Sequence, residues 1–438
     1  MTRKQAEDFI YKSYLKAAKY QNFYSKDSQK RRNDLTFDLL HNNSNTPCTV
    51  VTGSKGKGSV SNMISQILQT KYTTGLMTSP HIVDFCERFQ INGTKISDTD
   101  FINNICLIQN EIDTIDESLP KDVCISPMGI QAYLALNYFK SQNTEFNIFE
   151  CGKGAKFDDV NNIQHDYAII NNIFLEHTRE LGETLEEIAE DKSHVITGEQ
   201  KFVYTAEQAP EVLEIIQNRA DNLHVPLKIY GKDFSAENLK YTSEGMLFDV
   251  NIDGQLYPDI LVPLLGEHQA RNCALAMALC KDILGELDLS KVRDALSKLN
   301  WPGRMEVITK EPFILLDACI NSVACENVIQ VLDYLNIDRI TSIVGIPDDK
   351  DYLGVVKAMR KKSSSVILTK SQNPHYVFTN VQQQELQKEG METLWTDSVP
   401  EALTLALKTN QPIVILGTTS VIAEVKTINI RDIFVSLP

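Results

Sequence analysis

A strand, a glycine-rich turn and a helix follow one another near the N-terminus, and this order restricts the possible folds more than any other feature of the chain. Residues 49–52 are all β-branched and predict a buried strand. Glycine, serine and lysine make up residues 53–59, and apolar residues at helical spacing begin at Val60. This layout is typical of an α/β domain in which a phosphate-binding loop opens a helix.

The loop carries the groups that bind nucleotide phosphates. Glycines let backbone N–H groups point at phosphate oxygens, Lys57 can reach the outer phosphates, and the Ser59 hydroxyl can bind magnesium. The spacing G-x-x-G-K-G-S is shorter than the common G-x-x-x-x-G-K-[ST], and a lysine-rich surface turn is the alternative interpretation. We predict a nucleotide site formed by seven consecutive residues: Gly53, Ser54, Lys55, Gly56, Lys57, Gly58 and Ser59.

Length and charge exclude several classes of protein. A chain of 438 residues is too long for one ordinary core and predicts two or three domains. Acidic residues outnumber basic ones by 58 to 43, and the net charge of −15 argues against a nucleic-acid partner. No signal-like segment or membrane-length apolar run is present, so we expect no membrane partner. Nine scattered cysteines without a C-x-x-C pair predict free thiols in a reducing cytoplasm.

Strand and helix patterns alternate along most of the chain and predict a mostly parallel sheet covered by helices. Residues 225–262 instead have the pattern of β-hairpins, and residues 300–304 are a plausible domain boundary. We predict an α/β fold of two parts. Residues 1–300 form a P-loop ATPase domain with a parallel-rich sheet, and residues 301–438 form a doubly wound, Rossmann-like domain.

Three polar residues lie just beyond predicted strands, where nucleotide enzymes of this layout place their functional groups. Ser79 follows one strand, Glu150 ends another, and His177 follows a third. Hydroxyl, carboxylate and imidazole could hold magnesium that bridges ATP phosphates. Taken singly, a strand-end glutamate is more often a solvated cap and a single histidine more often a surface or core residue.

An acidic helix is expected after these positions. Thr184 followed by Glu187 has the spacing of a capping box, which predicts that a helix starts there. Lys192 falls about two turns later. By its position alone, Lys192 is a solvated lysine that complements the helix dipole.

Seven segments spread over nearly the whole chain share the motifs of one known family. They are the phosphate loop; Ser79-Pro80-His81 with Glu87-Arg88, Ile91-Asn92-Gly93 and Ile96-Ser97; Glu150 to Asn161; Glu176-His177 with Leu181-Gly182, Thr184, Ile188-Ala189 and Lys192; Gly266, His268-Gln269 and Asn272; Pro302-Gly303-Arg304; and Asp349-Lys350-Asp351. Together they resemble the folylpolyglutamate synthase/dihydrofolate synthase family, a branch of the ATP-dependent Mur ligases.

The resemblance implies roles for particular residues. Ser59, Ser79, Glu150 and His177 would hold two magnesium ions, and Lys192 would be carbamylated. ATP would be held by the phosphate loop and by Asn272, Arg304, Asp317 and Ser420, with Ser420 near the incoming amino acid. The groups implied in catalysis are Lys57, Lys192, His177 and Arg304.

The resemblance also implies an activity. ATP would phosphorylate a carboxylate of a folate or pterin acceptor, and the amine of L-glutamate would attack the acyl phosphate. Residues 1–300 would bind ATP, residues 301–438 would bind the amino acid, and the protein would be a monomer. Its substrates would be small molecules, so nucleic acid and membranes would not be partners.

Departures from the family motifs leave the acceptor open. The motif D-G-A-H-N-P is here Asp317 to Ser322, with Ile320 in place of histidine. Glu176 replaces aspartate, Lys55 replaces asparagine, and His375 stands close to where the family often has arginine. Ala155-Lys156 replaces Gly-Arg, which loses a bidentate guanidinium.

Three functions therefore stay open at this point: a diverged folate ligase, a related ligase with another acceptor or amino acid, and an idle ATP-binding paralogue. A P-loop kinase or NTPase is the alternative outside the family. Five retained residues favour an enzyme, because an idle site need not keep all of them: Lys57, Ser59, Glu150, His177 and Lys192.

Overall fold

The computed structural model describes residues 1–21, 26–43, 46–242, 244–374 and 376–429. Its helices are α1 (Arg3–Ala17), α2 (Asp27–Lys30), α3 (Phe37–His41), α4 (Lys57–Leu68), α5 (Asp98–Ser118), α6 (Pro127–Ser141), α7 (Leu185–Ser193), α8 (Pro210–Asn222), α9 (Glu267–Leu284), α10 (Leu289–Ser297), α11 (Ser322–Tyr334), α12 (Tyr352–Met359), α13 (Val381–Lys388), α14 (Val399–Leu407) and α15 (Thr419–Thr427). Short 3₁₀ turns occupy Asn33–Thr36, Phe85–Arg88 and Asp159–Asn162.

The strands form three sheets. They are β1 (Cys48–Thr52), β2 (Thr74–Met77), β3 (Phe89–Ile91), β4 (Thr94–Lys95), β5 (Phe146–Glu150), β6 (Tyr167–Ile170), β7 (Phe202–Thr205), β8 (Leu227–Ile229), β9 (Phe234–Thr242), β10 (Gly245–Ile252), β11 (Gln255–Val262), β12 (Glu306–Lys310), β13 (Phe313–Asp317), β14 (Ile340–Gly345), β15 (Ser363–Leu368), β16 (Leu394–Trp395) and β17 (Ile413–Gly417).

The first sheet has the strand order β4-β3-β2-β5-β1-β6-β7-β8. The strands from β2 to β8 in this order are all parallel, and β3 and β4 add an antiparallel edge. Residues that alternate along β1 face opposite cores: Val50 lies in the cluster with α1, α5, α6 and α8, and Val51 in the cluster with α4, α9 and α10. The parallel-rich sheet that the sequence predicts is confirmed.

The hairpin prediction for residues 225–262 is partly wrong. β8 is the parallel edge strand of the first sheet, where it pairs with β7. Only β9, β10 and β11 form an antiparallel sheet, with β10 in the middle. The three residues of β8 do not reveal which strand they pair with. Their partner is β7, which precedes helix α8, and not the strand that follows β8.

The six-stranded sheet of the C-terminal part, which we call the second sheet, has the order β12-β13-β17-β14-β15-β16. Its strands are parallel except for β12, an antiparallel edge strand that sequence patterning missed. Helices α11, α12 and α13 cover one face, and α14 and α15 cover the other. This is the doubly wound arrangement predicted for the C-terminal part of the chain.

Loops that follow strands of both large sheets line one cavity. The carboxyl ends of the parallel strands of both sheets therefore face this cavity. The contact is reinforced away from the cavity by two tyrosines. The Tyr334 hydroxyl donates to the carbonyl of Tyr241 at 2.6 Å, and the ring centroids are 4.2 Å apart. Within the first part, the Asn62 side chain donates to the carbonyl of Asn300 at 3.2 Å and holds the segment that leads into the second part.

Several smaller expectations are also tested by the fold. Thr184 caps α7 by accepting from the amide of Glu187 at 3.2 Å, but the Glu187 carboxylate accepts from Glu183 rather than completing the box with Thr184. All nine cysteines are free and all but Cys106 are buried. Among the described residues, every helix is too short or too polar to cross a bilayer.

We expect His165 to make stability depend on pH. It is 2% exposed, its Nδ1 lies 2.7 Å from the carbonyl of Ile163, and the Gln200 amide lies 3.1 Å from Nε2. Burial lowers the pKa of His165. The unfolded chain, with a histidine pKa of about 6.5, therefore binds the proton more readily, and the stabilisation present above that pH is lost as the pH falls.

The measurement is urea unfolding of the wild type and His165→Gln at pH 7.5 and 5.0. The wild type should lose more unfolding free energy on acidification, with a slope that differs by up to about one proton. His224→Asn is the control, because His224 is exposed and its positive φ suits asparagine. Equal slopes for the wild type and His165→Gln would contradict the assignment.

Candidate active site

A cavity of about 310 Å³ lies between the two parts of the chain. The first part contributes loops that follow β1, β2, β5 and β6, and the second part contributes loops that follow β13, β14, β15 and β17. The lining residues are Ser54, Lys55, Gly56, Lys57, Gly58, Ser59, Ser79, Pro80, Glu150, Gly152, Phe174, Glu176, His177, Arg304, Ala318, Ile320, Asn321, Lys350, Tyr376, Thr418 and Thr419. Ligands of open α/β sheets bind in this position.

The phosphate loop has no room for side chains where glycine occurs. Gly56 caps α4 with φ 78°, a left-handed conformation that favours glycine. A Cβ on Gly53, where φ is 136°, would lie 2.8 Å from the Cβ of Asn171. A Cβ on Gly58 would lie 2.7 Å from the Trp301 ring. Glycine at these positions therefore lets the loop pack closely against Asn171 and Trp301 while it lines the cavity.

Two lysines converge on one carbonyl of this loop. Lys57 Nζ donates to the Gly53 carbonyl at 2.9 Å, and Lys192 Nζ donates to the same oxygen at 3.1 Å. Lys192 is fully buried and also pairs with Glu176 Oε1 at 3.0 Å. Burial lowers the pKa of Lys192, while the Glu176 carboxylate opposes this. The solvated lysine that position alone suggested is thus a buried group directly behind the loop.

Glu150 brings a buried carboxylate to the cavity. It is 4% exposed, and its Oε2 accepts from the amide of Ser79 at 2.9 Å. Burial raises the pKa of Glu150, and the charges of Lys57 and Arg304 act in the opposite direction. A carboxylate held by few donors next to a phosphate loop favours a cation nearby.

His177 lies on the same side of the cavity in a left-handed backbone conformation, with φ 47°. Its two ring nitrogens lie 3.9 Å from Glu176 and 3.9 Å from Glu180. Burial lowers the pKa of His177, which favours the neutral imidazole that can bind a metal. A positive φ at a residue other than glycine is uncommon, and such residues cluster at functional sites.

The wall opposite the phosphate loop belongs to the second part of the chain. Arg304 and Lys350 supply its positive charge. Arg304 donates to the carbonyl of Gly303 at 3.2 Å, and Lys350 pairs with Asp349 at 3.0 Å. Ile320 lines the cavity in place of the family histidine, so this stretch of wall is apolar.

Most of the predicted site residues line the cavity together: Ser54, Lys55, Gly56, Lys57, Gly58, Ser59, Ser79, Glu150, His177 and Arg304. The other predicted residues lie just behind its wall. Gly53 and Lys192 share the hydrogen bond described above. Asn272 accepts from Asn171 at 3.0 Å and supports the back of the phosphate loop.

Two predicted residues of the second part also stand behind the wall. Asp317 accepts from the amide of Met305 at 2.8 Å and so holds the segment that carries Arg304. Ser420 contacts Thr418 at 2.8 Å and donates to Ser371 at 2.9 Å. Ser420 is therefore one step removed from Thr418 and Thr419, which do line the cavity.

Sequence reasoning missed some of the wall. Phe174, Tyr376, Thr418 and Thr419 line the cavity without belonging to the motifs assigned a role. Lys350 lies in the D-K-D motif, which was noted without a function. Strand ends of the second sheet would have been the signal for Thr418 and Thr419. His375 lies outside the described residues.

The residues present fit magnesium bound together with nucleotide phosphates. Glu150 is a buried carboxylate, and the hydroxyls of Ser59 and Ser79 and the His177 imidazole line the same cavity. Among the described residues, no cluster of three or more His, Cys, Asp or Glu could hold a metal ion. Magnesium usually keeps waters and takes few protein ligands beside phosphates, so a sparse donor set suits it.

Comparison with known protein families covers both parts of the chain. The Mur ligase middle domain matches residues 51–280. The Mur ligase glutamate ligase domain matches residues 303–418. The first match alone spans more than half of the chain.

Two curated relatives match over most of their own length. The dihydrofolate synthase/folylpolyglutamate synthase of Bacillus subtilis is 30% identical over 317 residues, which cover 70% of this chain and 73% of the relative. The folylpolyglutamate synthase of Lacticaseibacillus casei is 27% identical over 372 residues, which cover 84% and 86%.

Solved structures share the fold, and several of them contain bound nucleotide or its analogue. Mycobacterium tuberculosis folylpolyglutamate synthase, complexed with ADP and AMPPCP, aligns with a TM-score of 0.84 at 23% identity, over 94% of this chain and 97% of that chain. A complex of folylpolyglutamate synthase with AMPPCP and folate aligns with a TM-score of 0.82 at 25% identity, over 97% and 99%. The chain therefore belongs to the folylpolyglutamate synthase/dihydrofolate synthase family and is an ATP-dependent ligase of the Mur ligase type.

Proposed function

We propose that this chain joins L-glutamate to a carboxylate of a folate by way of an acyl phosphate, with ATP as the phosphoryl donor. The observation that carries the proposal is the single cavity lined by the phosphate loop on one side and by Arg304 and Lys350 on the other. A relative 25% identical to this chain binds AMPPCP and folate, which supports a folate as the acceptor.

In the first step an oxygen of the acceptor carboxylate attacks the γ-phosphorus of ATP, and the bond to ADP breaks. This forms the acyl phosphate. Charge on the transferring phosphoryl group is neutralised by Lys57 and Arg304, which line the cavity from opposite sides. Magnesium, when bound by Ser59, Ser79, Glu150 and His177, would add positive charge at the phosphates.

The buried groups behind the loop hold this arrangement in place. Lys192 and Lys57 both donate to the Gly53 carbonyl, so Lys57 leaves the site only by giving up this bond. Asn272 and Asn171 brace the loop from behind. Positioning of this kind is the main contribution expected of a protein that catalyses phosphoryl transfer.

In the second step the neutral amine of glutamate attacks the acyl carbon, the tetrahedral intermediate collapses, and phosphate leaves. The nitrogen loses a proton as the amide forms. Arg304 and Lys350 on the opposite wall would hold the anionic groups of the intermediate and of glutamate. Apolar Ile320 and Ala318 on this wall limit the water that could hydrolyse the acyl phosphate.

The finer assignments stay predictions. Tetrahydrofolate or its polyglutamates would be the acceptor. Dihydropteroate, which also offers a carboxylate, would be a second acceptor. A cytoplasmic location and a monomeric state are likewise expected from the family resemblance.

A second candidate is a ligase of the same mechanism with another carboxylate acceptor or amino acid. Ile320 favours it, because isoleucine offers neither the hydrogen bond nor the charge of the family histidine. A catalytically idle ATP-binding paralogue is disfavoured by the intact polar set around the phosphate loop.

The first test is phosphate release from ATP by the purified protein with magnesium and L-glutamate. Tetrahydrofolate, dihydropteroate or short folylpolyglutamates are supplied in turn, and products are identified by mass. We expect release that requires both glutamate and a pterin, with a product heavier by one glutamyl residue. Nucleotide binding without turnover on any of these acceptors would favour the second candidate or the idle paralogue.

Removing the loop lysine should abolish ligation. Lys57→Ala deletes the cation that faces the phosphates, and we expect glutamate-dependent phosphate release to fall by about 10²- to 10³-fold. Glu150→Ala should have a comparable effect because it removes the buried carboxylate. Lys232→Ala is the matched control, since Lys232 is exposed and does not line the cavity. Activity that survives both site variants would contradict the site assignment.

Lys192 should be testable for carbamylation. The neutral amine would attack carbon dioxide, form an N–C bond and release one proton. Burial lowers the pKa of Lys192, which favours the neutral amine over the ammonium. We expect protein equilibrated with ¹³C-bicarbonate to give one carbamate signal by ¹³C NMR, absent from Lys192→Arg. An unchanged signal in Lys192→Arg, or none in the wild type, would show that Lys192 stays an amine paired with Glu176.

A further inference from the structure

Ser322, the first residue of α11, makes two hydrogen bonds to one carboxylate oxygen. Its backbone amide donates to Asp351 Oδ2 at 2.9 Å, and its hydroxyl donates to the same oxygen at 2.7 Å. Asn321 caps the helix independently by accepting from the amide of Ala324 at 2.8 Å. The two bonds of Ser322 are therefore not needed to start α11.

Asp351 uses its other oxygen at a second helix. Oδ1 accepts from the amide of Gly354 at 2.9 Å and so caps α12. A Cβ on Gly354 would collide with this carboxylate. One aspartate thus ties together the starts of α11 and α12, and we call these three hydrogen bonds the Ser322–Asp351 clamp.

The clamp joins two loops that both line the cavity. The loop after β13 contributes Ala318, Ile320 and Asn321, and the loop after β14 contributes Lys350. Lys350 precedes Asp351 directly and is the only cation in either loop by sequence. A carboxylate fixed at residue 351 therefore fixes the backbone from which the Lys350 side chain extends, and the Lys350 ammonium pairs with Asp349 at 3.0 Å.

Serine at this position differs from the proline of the family motif D-G-A-H-N-P. Proline has neither a backbone N–H nor a hydroxyl, so it could make neither bond to Asp351. In this chain the same loop has also exchanged histidine for Ile320. The loop that lost a polar group at residue 320 gained two donors at residue 322.

We propose that Ser322 is a positioning residue, which through Asp351 holds Lys350 on the wall where the incoming amino acid binds. The inference rests on the proposed function, because it takes glutamate as the amine substrate. Lys350 would bind a carboxylate of that substrate, and the phosphate loop on the opposite wall would bind ATP independently of the clamp.

Ser322→Pro tests this inference without a helix-breaking change. Proline is favoured at the first residue of a helix, and Asn321 already has the extended backbone that precedes proline, with φ −149° and ψ 161°. We expect the KM for glutamate to rise about tenfold or more, because a misplaced positioning group costs this much. The KM for ATP and the affinity for a non-hydrolysable ATP analogue, measured by calorimetry, should stay unchanged.

Three further variants separate positioning from simple support. Ser322→Thr keeps both donors and should restore the wild-type KM for glutamate. Lys350→Met should raise this KM, and adding Ser322→Pro to it should raise it little more, because both changes act through the same ammonium. Lys357→Met is the control, since Lys357 lies on α12, pairs with Glu389 and does not line the cavity.

The outcomes decide the two proposals separately. A wild-type KM for glutamate in Ser322→Pro would overturn the clamp, and so would an equal rise in the KM values of ATP and glutamate. If Ser322→Pro lowers the melting temperature by several degrees, Ser322→Ala takes its place and should raise the KM by a smaller factor.

Wild-type protein without glutamate-dependent turnover would contradict the proposed function. Deuterium exchange then judges the clamp alone: faster exchange at residues 349–354 in Ser322→Pro supports it, and unchanged exchange overturns it.

Discussion

The site depends on two hydrogen bonds to one acceptor, the backbone carbonyl of Gly53. The ammonium groups of Lys57 and Lys192 both donate to it. Lys192 is fully buried, and a buried ammonium is costly unless it has partners. The carbonyl and Glu176 supply them. Because the loop begins directly after a strand buried at every residue, the end of β1 is held by the sheet on one side and by α7 on the other. The start of the loop is therefore held from both sides.

Two parallel sheets turn their carboxyl ends toward one cavity, and this geometry explains how a ligase can hold two kinds of substrate. The phosphate loop and Glu150 come from the first sheet, and Arg304 and Lys350 come from the second part of the chain. Trp301 packs against the loop at Gly58, so the connection between the two parts is itself in contact with the phosphate site.

Much of the fold could be predicted from local pattern. The strand and helix around the phosphate loop, the parallel-rich first sheet and the doubly wound second sheet all follow from periodicity and glycine placement. The edge strand β8 was misassigned because it pairs with β7, on the far side of helix α8, rather than with the next strand along the chain. The edge strand β12 was missed although its partner β13 follows it directly. For the site, strand-end polar residues such as Ser79, Glu150 and His177 were found because parallel strands bring their ends together. Tyr376 could not be found, because no local pattern indicates that its loop reaches the cavity.

The sequence by itself determined the phosphate loop, the two-part α/β organisation and the family, because these depend on residue types at short spacing. The tertiary structure alone decided the state of particular side chains. Lys192 looked like a solvated lysine on an acidic helix and is a buried partner of Gly53. Ser322, to which the sequence pattern assigned no role, joins two loops through Asp351. Burial and hydrogen bonding between residues distant in sequence are properties of the packed chain, and the free energy of an ion or a hydroxyl is set by that packing rather than by its neighbours along the chain.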